Sequence, residues 1–159
     1  MNLLIILSSL IQTTLTITSP DFQEGKLIPE KFTCDGENIS PAITITSIPK
    51  EAVSMALIMD DPDAPSGTFD HWIAWNIPAS TTSLLEGATV PNQGKNHYGL
   101  ARYRGPCPPK GKPHRYFIKV YALDQMIGIP DGATKEQLED AMEGHILSKG
   151  ELVGTYQRE

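Results

Sequence analysis

Four aspartates, two prolines and a histidine fall within DDPDAPSGTFDHW, the stretch from Asp60 to Trp72. Carboxylates beside an imidazole can hold a metal ion, run acid–base chemistry or set the charge of an anion pocket. The spacing argues against calcium. A loop starting at Asp61 would place Pro65 at its fifth position, Ser66 where glycine is needed and Trp72 in place of the bidentate glutamate. No HExxH or paired CxxC offers a zinc site, and Asp61, His71 and His114 would make only a loose set, so no metal and no cofactor is expected. Covalent catalysis lacks its parts as well: there is no GxSxG elbow, and Cys107 stands between prolines without a cysteine-protease signature. No catalytic residue is assigned. If the chain were a hydrolase, Asp61 and His71 would be its acid–base pair.

The elements that must position these residues are mostly strands. Leu15–Thr18 alternates apolar and polar residues, as does Ala42–Ile48. Val53–Met59 and Trp72–Ile77 are short apolar runs bounded by Pro and Asp, which fits buried strands better than helices. Arg115–Leu123 is aromatic and β-branched, and Glu151–Tyr156 closes the chain as a last strand. One helix is predicted from Lys135 to Lys149. Thr134 and Gln137 form its capping box, Leu138, Ala141, Met142 and Ile146 share its apolar face, and Gly150 ends it. Thirteen prolines and thirteen glycines favour many turns. The expected fold is mainly β, an antiparallel Greek-key-type sandwich with one substantial helix near the C-terminus.

At 159 residues the chain is expected to form one domain, from residue 14 to residue 159. The preceding residues, 1–13, are an apolar extension with the length of a signal-peptide core but no Lys or Arg before it. The expected location is periplasmic or secreted if that extension is a signal, and cytoplasmic otherwise. The formal charge of −6 and the lack of a Lys/Arg run exclude nucleic acid as a partner. Cys34 and Cys107 are two unrelated thiols or one long-range disulfide, and their spacing does not choose between these.

If Val53–Met59 and Trp72–Ile77 are antiparallel neighbours, their connecting loop lies at one rim of a sheet and brings Asp60, Asp61, Asp63 and His71 together. His114 begins another strand that can start at the same rim. The stiff loop YRGPCPPKGKP, Tyr103 to Pro113, precedes it, and Gly105 permits close backbone approach to a ligand. Two histidines fixed by a carboxylate can present N–H groups to an anion, and a spare carboxylate can receive an ammonium. Trp72, Trp75 and Tyr116 are either apolar wall for that pocket or plain core.

These segments resemble the phosphatidylethanolamine-binding protein (PEBP) family, in the bacterial branch described as Raf-kinase-inhibitor-like. The resemblance rests on DPDAPSG with the following HW, on YRGPCPP and on HRYFIKVYALD, with FTCDGENISP and LVGTY in support, and covers the chain from about Thr16 onward. It implies a β-sandwich with a small anion pocket at one end. Asp61, His71, Gly105, Pro108, His114 and Tyr116 would line the pocket, and Asp63 and Pro65 would shape its loop. It also implies that Cys34 and Cys107, both in motif loops near the site, approach each other. Family members bind phosphate, phosphorylethanolamine-like head groups or small carboxylates, and some modulate kinases or inhibit serine proteases. One departure is that eukaryotic members carry a further C-terminal helix near the pocket mouth, whereas this sequence ends just after its last strand. A more open mouth is expected, and kinase regulation of the eukaryotic kind is not.

The expected function is non-catalytic binding of a small anionic or zwitterionic ligand. The alternatives are an inhibitor docking the phosphate or carboxylate of a kinase or protease partner and, behind that, the Asp61/His71 hydrolase. A homodimer is compatible with the resemblance, although no interface stripe predicts it.

Overall fold

The structure, a computed structural model, describes residues 14–159. The signal-peptide expectation for residues 1–13 lies outside the described residues. A small sheet joins β1 (Thr16–Thr18), β2 (Ile43–Thr46) and β5 (Ser83–Leu84) in the order β1-β2-β5. The larger sheet contains β3 (Ser54–Asp61), β4 (Phe69–Pro78), β6 (Asn92–Gln93), β7 (His114–Leu123) and β8 (Ile146–Tyr156), in the order β6-β4-β3-β7-β8. Every named strand pairing is antiparallel. The described residues are therefore mainly β, with one α-helix near the C-terminus.

Strand β3 is central and buried at every position, which explains why its stretch from Met55 to Met59 is continuously apolar rather than alternating. Its two faces supply two cores. Met55, Leu57 and Met59 join Ile17, Ile43, Ile45, Trp72, Tyr116 and Ile118 between the sheets. Ala56 and Ile58 join Ile73, Trp75, Leu138 and Met142 beneath the helix. Each Leu, Ile or Met so buried contributes roughly 1.5–3 kcal/mol relative to exposure. Trp72 and Trp75 are core residues on opposite faces of the sheet, and neither forms pocket wall.

The predicted helix is too long. Helix α1 spans Lys135–Met142, opened by the Thr134/Gln137 capping box. Gly144 then turns the chain at φ +79, a left-handed conformation that suits glycine just past a helix C-terminus. Ile146 lies at helical spacing from Met142 but begins β8 instead and is 41% exposed. Gly150 ends no helix. It sits inside β8 because a Cβ there would lie 2.1 Å from the Leu15 carbonyl oxygen, where the two backbones cross.

Candidate functional site

The strand ends at one rim of the large sheet carry the site, and a β-bulge aims its first histidine. Strands β3 and β4 pair Met59 with Trp72 but Asp60 with Asp70, so His71 is the extra residue on β4. Without the bulge, simple alternation would place His71 on the face opposite Trp72. With it, His71 shares a face with Asp61, Tyr116 and His114, while Asp60 and Asp70 turn to the helix side. There Lys119 reaches Asp60 at 3.0 Å and Lys135 reaches Asp70 at 2.7 Å. The acidic cluster is thus divided: Asp61 serves the pocket, and Asp60 and Asp70 are paired behind it.

Both pocket histidines are bonded through Nδ1. His114 Nδ1 lies 2.7 Å from Asp61 Oδ2, and His71 Nδ1 lies 2.8 Å from the Arg104 carbonyl oxygen. A carbonyl or carboxylate oxygen can only accept, so Nδ1 carries the proton in each ring. An aspartate was expected to fix both tautomers; a backbone carbonyl fixes His71 instead. One consequence corrects the expectation of standing N–H donors: the neutral rings offer Nε2 as a lone pair, and Nε2 donates only from the imidazolium. Burial pushes His71 below its usual value of 6.5, opposed by the Arg104 carbonyl and the Asp61 charge. Tyr116 is fully buried beside Asp61, and its hydroxyl has no partner at full hydrogen-bond geometry. Burial, helped by the Asp61 charge, raises its pKa and keeps it a phenol able to donate.

These groups line a cavity of about 210 Å³ with Ala64, Pro65, Ser66, Phe69, Tyr98, Cys107, Pro108 and Pro109. Phe69 and Tyr98 stack edge to face at 5.0 Å, and the Arg104 guanidinium lies 5.5 Å from the Tyr98 ring centre. Neither Phe69 nor Tyr98 was among the expected site residues. Phe69 carried a signal, since it pairs with Asp61 at the strand end; Tyr98 lies in an irregular segment with no periodicity to place it. Asp63 is near the site but bonds Arg115 at 2.8 and 2.9 Å rather than lining the cavity, and that guanidinium lowers its carboxyl to about 2. From Gly87 to Leu123 the sequence has no Asp or Glu, while Arg102, Arg104, Lys110 and Lys112 flank the proline loop. Of these, the Arg104 guanidinium stands at the cavity edge over Tyr98, so a net-acidic chain sets a positive charge beside the mouth. A wider groove at the other end of the sandwich, about 540 Å³, has Lys50 as its one charged lining residue.

Gly105 approaches protein rather than ligand. A Cβ there would lie 1.9 Å from the Phe32 carbonyl oxygen, and its N–H donates to Asn38 Oδ1 at 2.7 Å. The half-buried Asn38 side chain thus ties its own segment to this loop. Tyr103 donates its hydroxyl to the same Phe32 oxygen at 2.7 Å. Cys34 and Cys107 are joined in a disulfide with their Cα atoms 5.4 Å apart. Among the described residues no group of three or more His, Cys, Asp or Glu is arranged to hold a metal ion.

Comparison with known proteins agrees with this geometry. A family model described as phosphatidylethanolamine-binding protein matches residues 18–157. The chain belongs to the PEBP family. A UPF0098 protein of Methanothermobacter thermautotrophicus is 48% identical over 144 residues, covering 86% of this chain and 95% of its own. One from Chlamydia muridarum is 46% identical over 149 residues, covering 90% and 99%. Among solved structures, the PEBP homologue CT736 of Chlamydia trachomatis superposes with a TM-score of 0.88 at 41% identity, covering 92% of this chain and 99% of that one. YbcL of Escherichia coli, described as a member of the mammalian PEBP family, gives 0.85 at 30% identity, covering 92% and 100%. In this PEBP chain, as in its relatives, the fold alone assigns no ligand.

Proposed function

We propose that this chain is a binding protein for a small oxyanion: phosphate, a phosphorylethanolamine-like head group or a small carboxylate. The observation that carries the reading is the pair His71 and His114, each anchored through Nδ1 and lining one small cavity with the Tyr116 hydroxyl. An anion entering there meets the phenol donor and two rings whose Nε2 atoms donate once protonated. The basic flank of the proline loop supports the same sign of ligand by raising its local concentration. For a zwitterionic head group, Asp61 provides the opposite charge and the Phe69 and Tyr98 rings provide a face for an ammonium.

Binding without turnover fits the surroundings. The sulfur at the cavity, Cys107, is bonded to Cys34 and is no free nucleophile. The test is an NMR titration of the imidazole signals with phosphorylethanolamine. His71 and His114 should shift together and saturate, and His71→Ala should remove binding while leaving the backbone spectrum folded. No shift of either ring at millimolar ligand would overturn the reading.

A further inference from the structure

The proline loop forms one wall of the cavity through Cys107, Pro108 and Pro109, and its two halves are held in different ways. The first half, Tyr103–Gly105, is fixed without sulfur. Tyr103 and Gly105 bond the Phe32 and Asn38 segment as described, and Arg104 N–H donates to the His71 carbonyl at 3.2 Å. Beyond Lys110 the loop is tied to the C-terminal segment, with Gly111 N–H donating to the Arg158 carbonyl at 3.0 Å. Between these anchors lies Pro106-Cys107-Pro108-Pro109, where three of four residues have no N–H to donate. Among the described residues one backbone hydrogen bond reaches this stretch: Cys34 N–H donates to the Pro106 carbonyl at 3.0 Å. Its covalent tie is the disulfide, from the same Cys34, and Pro106 and Pro108 are buried on either side of it. Both sulfur-bearing residues are half-exposed, so a reductant in solution can reach the bond.

From this arrangement we infer that the Cys34–Cys107 disulfide gates the cavity, holding the wall in its binding position when oxidised and releasing it when reduced. The inference rests on the oxyanion reading and concerns the regulation of that same site. The chemistry is thiol–disulfide exchange. A dithiol gives two electrons and two protons to the bond, leaving two cysteine thiols on this chain and a disulfide on the reductant. Neither core contains the bridge, so the sandwich stays folded while the prolines lose their fixed distance from Thr33–Asp35. If the freed wall occupies its binding position about a tenth of the time, apparent affinity falls about tenfold. Ligand capture would then be strong in an oxidising compartment and weak in a reducing one.

The experiment compares phosphorylethanolamine affinity for the oxidised protein, the same protein in dithiothreitol, and a Cys34→Ser/Cys107→Ser variant. Hydrogen exchange of the β3 and β7 amides follows the sheets alongside. The expected result is a Kd about tenfold higher in both the reduced protein and the variant, unchanged protection in β3 and β7, and recovery on reoxidation. Equal affinity in all three forms overturns the gate and leaves the anion pocket standing. Loss of sheet protection on reduction also overturns it, because the bridge would then hold the fold rather than the wall. Failure of the oxidised protein to bind removes the pocket reading and the gate with it.

Discussion

Anion affinity at this site should fall steeply with rising pH, and the slope follows from the hydrogen bonds at Nδ1. His71 and His114 each spend their Nδ1 proton on a fixed oxygen, so a neutral ring turns a lone pair toward the cavity. A bound anion needs Nε2–H, which requires proton uptake. For His71, burial holds the free ring below its usual 6.5, whereas an anion raises it. The bound form thus has the higher value: its extra affinity is fully present below the free ring's value and is lost as pH rises through the bound ring's value. Within that window each proton taken up changes Kd tenfold per pH unit, or about 1.4 kcal/mol. Uptake by His71 across two pH units therefore weakens binding about a hundredfold. Sulfate is the clean probe, since it stays dianionic between pH 5 and 8 while a phosphomonoester titrates near pH 6. Calorimetry in two buffers of different ionisation enthalpy counts the protons directly. A sulfate Kd that stays flat from pH 5 to 8, with no proton uptake, would refute the tautomer argument.

Two substitutions test the scaffold. Gly105→Ala should destabilise the protein by about 2–3 kcal/mol by urea denaturation, because its Cβ would lie 1.9 Å from the backbone oxygen of Phe32, the last residue of a single 3-10 turn, Glu30–Phe32, that would have to shift; a loss under about 0.5 kcal/mol would show that the two segments separate freely. Lys135→Met should lower stability at pH 8 by about 3 kcal/mol, because it leaves the carboxylate of Asp70, whose side chain is 5% exposed, without its lysine. Anion affinity should remain unchanged, since that pair lies on the helix side of the sheet, and a parallel loss of binding would show that Asp70 holds the bulge at His71.

The fold was legible where one physical signal dominated. The short apolar run Val53–Met59 fitted a buried strand better than a helix, and the Thr134/Gln137 box marked the helix start. The helix end was misread because Ile146 follows Met142 by four residues, matching helical periodicity, while Gly144 permits the turn that ends the helix sooner. Periodicity in a short segment cannot outweigh a single glycine able to take positive φ. Gly150 misled for a related reason. A glycine placed for close backbone crossing looks in sequence like one placed for a cap, and only Leu15, far away in the chain, distinguishes them.

The site divides in the same way. Residue types and rim position brought Asp61, His71 and His114 together, because strand ends and their loops are set by local signals. The direction each side chain takes depends on register, and register is a property of two strands. Read alone, Asp70-His71-Trp72 gives strict alternation and sends His71 behind the sheet. Paired with Met59-Asp60, it acquires one extra residue and turns His71 forward. The group that then fixes the ring, the Arg104 carbonyl, is a backbone atom and leaves no trace in residue identity. Gly105 follows from that contact: the loop must come close enough for Arg104 to reach His71, and at the same point it crosses the Phe32 carbonyl with no room for a Cβ. The glycine that looked like space for a ligand is therefore better understood as the residue that lets a carbonyl decide which nitrogen of His71 the ligand meets.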